Sequence, residues 1–179
     1  MSRIAIPAVA SAVGVTVDIY DQVRKIAGGR VPNTYAALGH LAPEPLGAVL
    51  GAQRTLSLGS LSQQDLQTVK LLVSVKAGCD VCVAAHSYVG KLVGLSADIL
   101  RAIRAGQPTG DARRDALVRF VSQLQTTSGT ISHGEFDAIR AAGYSATALA
   151  EISIAIGLAT ITSTFNRIND TEVDFPAVE

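Results

Sequence analysis

Lys76-Ala77-Gly78-Cys79-Asp80-Val81-Cys82-Val83-Ala84-Ala85-His86 holds both cysteines of the 179-residue chain and one of its three histidines. Gly78 is expected to end an apolar helix, since glycine is the usual residue just past a helix C-terminus. A second helix then opens at or near Cys79. Cys79, Cys82 and His86 fall at i, i+3 and i+7 of it and share one face. Val81, Ala84, Ala85, Tyr88 and Leu92 form a separate, mostly apolar face that is expected to pack.

That arrangement carries chemistry. The free N–H groups and positive dipole end at a helix N-terminus favour an anion. A thiol placed there ionises more easily than a free one, as in other C-x-x-C sites. His86, one turn beyond Cys82, is placed to take its proton or stabilise its thiolate. A thiolate with a second thiol in reach is oxidised to a sulfenic acid and captured as a disulfide, or exchanges directly with another disulfide. Two alternatives stand beside this. The cysteines can be small buried hydrophobes. They can also join His86 in a zinc site, although three ligands fall short of the usual four and no second C-x-x-C or His pair follows.

Helical periodicity extends in both directions. Upstream, 14–27 reads as a helix stopped by Gly28-Gly29, and Val31-Pro32-Asn33 opens another. Ala42-Pro43-Glu44-Pro45 reads as a turn before a helix over about 46–56. His40, just before that turn, reads as a structural residue that caps or satisfies backbone. Ser62-Gln63-Gln64-Asp65 resembles a capping box, with Asp in place of Glu. The helix it opens has an apolar stripe (Leu66, Val69, Leu72, Val73) and a polar one (Gln63, Gln67, Lys70, Ser74) that reads as the solvated face.

Downstream, Ser96 caps a short helix to about 105, and 106–110 is a loop. Asp111 to about Leu124 is amphipathic, with Ala116, Leu117, Phe120, Val121 and Leu124 facing in. Ser132-His133-Gly134-Glu135 is a capping box that leaves His133 in solvent. Gly143 ends that helix. The last helix, about 145–168, has no charged residue between Glu151 and Arg167 and reads as buried. Glu151 reads as a dipole partner. The tail after Asp170 reads as extended.

Composition bounds the rest. Hydrophobic residues make up 48% and charged residues 17%, there is no tryptophan, and formal net charge is zero. Nucleic acid would want a basic surface, so none is expected as a partner. Cysteines three apart cannot staple a fold and point to redox or metal chemistry in a reducing, cytoplasmic setting. The run from Ile4 to Val17 is faintly like a signal peptide, but Pro7 interrupts it and an ordered or frayed arm is the preferred reading. No segment is expected to span a bilayer. The sum is an all-α, single-domain bundle of about seven or eight helices: an N-terminal section over 1–60 and a core over 61–179.

Cys79-x-x-Cys82-x-x-x-His86, entered from a helix beginning Leu61-Ser62 and followed by Gly94-Leu95-Ser96, resembles the core motif of the alkylhydroperoxidase D-like branch of the carboxymuconolactone decarboxylase family. Ala141-Ala142-Gly143-Tyr144, the helix ending Asn166-Arg167-Ile168, and Val173-Asp174-Phe175-Pro176 continue the likeness. It covers about 60–176, and the first 60 residues add nothing to it.

The resemblance implies a thiol-dependent hydroperoxide reductase. In it Cys82 attacks the peroxide, His86 promotes ionisation and protonates the leaving oxygen, and Cys79 closes the disulfide. The residues by themselves favour Cys79 as nucleophile, being nearer the helix end. The resemblance further implies no bound cofactor or metal, an external dithiol reductant (a lipoyl-type one is a candidate), and a homo-trimer or hexamer. Gln67 stands where the family has a relay glutamate, twelve residues before the first cysteine. Asp80-Val81 stand where the founding type has a histidine between the cysteines. Glutamine orients by hydrogen bonding but is no general base; Asp65, Asp80 and Glu151 are the candidate substitutes. The competing functions are a lactone enzyme of the decarboxylase branch, which does not depend on a C-x-x-C pair, and a non-enzymatic thiol redox sensor.

Overall fold

The computed structural model describes residues 2–177. Among them are nine α-helices and no strands: α1 (Val15–Ile26), α2 (Asn33–Leu41), α3 (Pro43–Leu56), α4 (Gln63–Ala77), α5 (Asp80–Leu92), α6 (Ala97–Ala105), α7 (Ala112–Thr126), α8 (His133–Ala141) and α9 (Ala146–Asn169), with a short 3-10 turn at Val9–Ser11. The all-α expectation holds, and the helix count is higher than the seven or eight expected.

Local chemistry sets the boundaries. Ser62 Oγ accepts from Asp65 N and the Asp65 carboxylate accepts from Ser62 N, a reciprocal cap that starts α4. Gly78 ends α4 in the left-handed region at φ 64° and ψ 41°, where any Cβ would be strained. Ser132 and Glu135 form the second capping box, and His133 is exposed, as expected. One boundary differs. Pro43 and Pro45 do not form a turn ahead of α3 but lie inside its first turn. A proline there loses only an N–H that the helix could not have paired, and its fixed φ suits the helix.

α4 is the central helix. It packs against α5, α6, α7 and α9. Leu66, Leu72, Leu117, Ile139 and Ile152 are fully enclosed in that core. Burial of each such side chain contributes about 1.5–3 kcal/mol. α1, α2 and α3 pack together around Ile19, Val23, Leu46 and Leu50, and Val49 of α3 touches both clusters. The N-terminal arm is tied down: Arg3 N donates to Asn169 O at 2.7 Å and Ile4 N to Asn169 Oδ1 at 2.8 Å.

Three further expectations change. α9 has 24 residues and is long and apolar enough to cross a membrane by length and composition, contrary to the expectation that no segment is. Here it packs on α3, α4 and α5 as a helix of the bundle. It is not wholly buried, because Ile154, Ile161 and Ile168 are exposed. On α5 the apolar face is divided: Val81 and Ala84 pack, whereas Tyr88 and Leu92 face outward. The tail from 171 to 177, expected to be extended, carries no helix or strand and bends at Phe175.

Candidate active site

Gly78 reverses the chain so sharply that only two residues separate α4 from α5, with Cys79 as the N-cap residue. Cys82 therefore sits in the first turn of α5. The two cysteines are bonded as a disulfide with their Cα atoms 5.3 Å apart, and both are buried.

Cys82 faces a half-open pocket of about 80 Å³ that His86 of α5, Lys70 of α4, Tyr35 of α2, Gln53 of α3 and Asn166 of α9 also line. Phe175 of the tail also lines it. The Arg30 guanidinium lies over the Phe175 ring at 4.3 Å, and Asn33 N donates to the Asp174 carboxylate at 2.9 Å. Cys79 lies on the other side of the disulfide, against an open cleft of about 380 Å³ at the C-terminal end of α9.

Asn166 Nδ2 donates to Cys82 Sγ at 3.2 Å. The amide is held that way round because its oxygen accepts from Thr34 Oγ1 at 3.0 Å. A donor on the sulfur, together with the free N–H groups and dipole of the first helical turn, favours the thiolate that reduction would release.

His86 Nδ1 lies 3.0 Å from Gln67 Oε1. An amide oxygen only accepts, so Nδ1 carries the hydrogen and Nε2 is the ring's acceptor. Burial and then the nearby Lys70 charge push His86 down from 6.5 to about 3. The ring is neutral at pH 7. Burial also lowers Lys70 and raises Tyr35, whose hydroxyl donates to Gln53 Oε1 at 3.3 Å.

Gln67, Lys70 and Ser74, read from the sequence as part of a solvated stripe, are thus turned inward. Gln67 is 6% and Ser74 0% exposed, and Lys70 lines the cavity. Cys82, His86 and Gln67 come together as the motif places them. The sequence reading missed Lys70, Asn166, Thr34 and Tyr35. Lys70 had a signal, standing one helical turn from Gln67, whereas Asn166 and Thr34 join only through tertiary packing.

The candidate carboxylates are elsewhere. Asp65 caps α4, accepts from Tyr144 Oη at 2.9 Å and pairs with Arg113 Nη1 at 2.9 Å. Asp80 is exposed on the first turn of α5. Glu151 accepts from Ser60 N, Ser60 Oγ and Leu61 N, which holds it below the usual carboxylate range. That clamps the α3–α4 junction to α9, a more specific job than the dipole partner expected. The His40 side chain is exposed and makes no hydrogen bond to another described residue, so it does not serve the backbone as expected. Among the described residues no three His, Cys, Asp or Glu side chains are grouped to hold a metal ion. The cysteines and His86 therefore do not form the ligand set considered for zinc.

The sequence matches no protein-family model and no curated protein. The fold does have solved counterparts. A peroxidase-related protein from Ralstonia eutropha, described as an alkylhydroperoxidase AhpD core, superposes with a TM-score of 0.82 at 18% identity over 97% of this chain and 92% of its own. A peroxidase-related protein from Silicibacter gives 0.80 at 18% identity over 96% and 91%. The debrominase Bmp8 gives 0.74 at 17% identity over 89% and 86%. The likeness runs through the first 60 residues, where the sequence resemblance had nothing. The chain has the AhpD-like all-helical fold.

Proposed function

We propose that the protein is a thiol-dependent hydroperoxide reductase. The observation that carries this reading is the Cys79–Cys82 disulfide closed at the start of α5, with Cys82 facing a cavity it shares with His86. The AhpD-like fold supports it. In the reduced protein Cys82 is the nucleophile. Its ionisation is assisted by the helix N-terminus and by the Asn166 amide, a donor to the sulfur. Gln67 positions the His86 ring and moves no proton. Cys79 condenses with the sulfenic acid, and an external dithiol, lipoyl-type or protein-borne, reduces the disulfide from the Cys79 side. A homo-trimer or hexamer is supported by the outward apolar side chains Leu92, Ile154 and Ile161. A reducing, cytoplasmic setting suits a cycle that must reopen this disulfide.

The test is the free-thiol count and intact mass of the reduced protein after one equivalent of an organic hydroperoxide. Rapid loss of both thiols is expected in the wild type. Cys82→Ser should abolish it, and Cys79→Ser should stop at an oxidised Cys82. Survival of both wild-type thiols would sink the reading. The likeness to a debrominase supports a second use of the same pair: two thiols supply two electrons, a C–Br bond becomes C–H, and bromide leaves. Bromide release from polybrominated pyrroles, the ligand class solved bound to that debrominase, in the same assay would favour that use over peroxide reduction.

A further inference from the structure

The relay beside Cys82 contains no carboxylate. Gln67 holds His86 without carrying a proton, and His86 is neutral and disfavours taking one. One helical turn from Gln67 on the same face of α4 stands Lys70, against the cavity that Cys82 and His86 line. The Lys70 ammonium makes no hydrogen bond or ion pair with another described residue.

The groups facing it can be taken element by element. Tyr35 from α2 and Cys82 and His86 from α5 are titratable; α3, α9 and the tail bring only uncharged side chains to the cavity. In the disulfide form this cavity therefore holds one ammonium and no anion. Opening the disulfide creates the anion, at Cys82.

We propose that Lys70 is the acid of the site: its ammonium holds Cys82 as thiolate in the reduced protein and then gives its proton to the oxygen that leaves the hydroperoxide. This rests on the reading of the site as a hydroperoxide reductase. The Cys82 sulfur gives an electron pair to the terminal peroxide oxygen. The S–O bond forms, the O–O bond breaks, and the departing alkoxide takes a proton from Lys70 Nζ to leave as the alcohol. Sulfur is oxidised to sulfenic acid and the peroxide is reduced. The Cys79 sulfur then attacks Cys82; the S–S bond forms, the S–O bond breaks, and the departing hydroxide leaves as water with the Cys79 proton. The Lys70 amine is reprotonated from solvent. Burial makes this ammonium a stronger acid than an exposed one, which suits it to the transfer.

The arrangement also accounts for the missing glutamate. A carboxylate at position 67 would pair with the lysine one turn away and neutralise it. Glutamine keeps the ring oriented and leaves the ammonium for the sulfur.

The experiment uses the full chain, reduced, with Cys79→Ser so that Cys82 is the only thiol. The rate of Cys82 alkylation by iodoacetamide is followed against pH, and thiol loss to an organic hydroperoxide is followed at pH 7. Lys70→Met should raise the alkylation midpoint by about one pH unit or more, the size of effect a close opposite charge has on a thiol. It should slow thiol loss about tenfold, within the usual range for a lost general acid. Lys70→Arg should keep the midpoint low, because the charge remains. It should still slow thiol loss, because a guanidinium does not release its proton. Lys70→Gln repeats the comparison if Lys70→Met disturbs folding. A midpoint that neither neutral variant moves, with wild-type thiol loss, overturns the role of Lys70 and leaves the peroxidase reading standing. Wild-type thiols that survive hydroperoxide overturn that reading, and proton donation by Lys70 with it.

Discussion

Helix α4 carries two buried polar constellations one turn apart, and they are built on opposite principles. At Asp65 both carboxylate oxygens are engaged. The carboxylate accepts from Ser62 N, Tyr144 Oη and Arg113, and the Arg113 guanidinium stacks on the Tyr144 ring at 4.0 Å. Around Gln67 and Lys70 valences are left open. His86 keeps a free acceptor nitrogen, Lys70 has no counter-ion among the described residues, and the sulfur of Cys82 receives a single neutral donor. Both are enclosed by the same core, so burial does not separate structure from chemistry here. Saturation does: a satisfied buried network rigidifies, whereas an unsatisfied one stores reactivity.

The largest effect expected from that contrast is on stability. Asp65→Ala removes the acceptor of a buried phenol and of a half-exposed guanidinium, and the α4 cap with them. Arg113 is 45% exposed and turns to water, which discounts the ion pair. The lost cap and the stranded Tyr144 hydroxyl leave a cost of about 3 kcal/mol. Urea unfolding measures it. Thiol loss to hydroperoxide per folded molecule should stay within about twofold of wild type. A large fall in that rate with unchanged stability would mean that Asp65 belongs to the reacting site after all.

The open constellation makes its mark on pH dependence. His86 sits at about 3 in the folded protein against 6.5 in the unfolded chain. Between those values the unfolded chain binds a proton that the folded protein refuses, so stability falls as pH drops below about 6.5 and the loss levels off near 3. The slope approaches about 1.4 kcal/mol per pH unit below about pH 6, and the loss between pH 6.5 and 5 is about 1.7 kcal/mol. Urea unfolding at those two pH values should show this extra loss in the wild type and not in His86→Gln. Gln67→Glu should flatten the slope, because a carboxylate on Nδ1 favours the imidazolium. Equal slopes in wild type and His86→Gln would show that the ring is not held neutral.

The contrast also marks how far the sequence could be read. Asp65 was identifiable because its first partner is local: Ser62 and Asp65 are three apart, and capping geometry follows from that spacing. Gly78 and the i, i+3, i+7 face were accessible for the same reason, since helix periodicity and one tight turn generate them; Gln67 stood out only through the family resemblance, because periodicity placed it on the solvated stripe. Lys70 was assigned to solvent because a polar stripe usually points there. Only the packing of α2, α3 and α9 over that face makes it interior. Asn166 is 84 residues from Cys82, and Thr34 is 132 from Asn166, so no local rule connects them. The divided face of α5 has the same origin: Val81 and Ala84 find neighbours, Tyr88 meets the tail at Phe175, and Leu92 is exposed. The two prolines of α3 were misread for a different reason, since proline both starts and stops helices and the spacing does not say which.

The smallest effect expected is at Asp80, the one candidate carboxylate that adjoins both cysteines in the chain. It stands at the first position of α5, exposed, beside the sulfur pair and at the positive end of the helix dipole. If the site ran on a carboxylate, Asp80 would be its nearest source. If it runs on Lys70, Asp80 is a dipole partner and nothing more. Asp80→Asn should then cost only about 0.3–0.5 kcal/mol in urea unfolding, the value of one exposed charge at a helix N-terminus. That loss should shrink with added salt as the charge is screened. The Cys82 alkylation midpoint should drop slightly, if it moves at all, because a negative charge near the thiolate has been removed. A midpoint that rises, or thiol loss slowed tenfold, would place the working carboxylate on α5 and return Lys70 to the role of a buried structural cation.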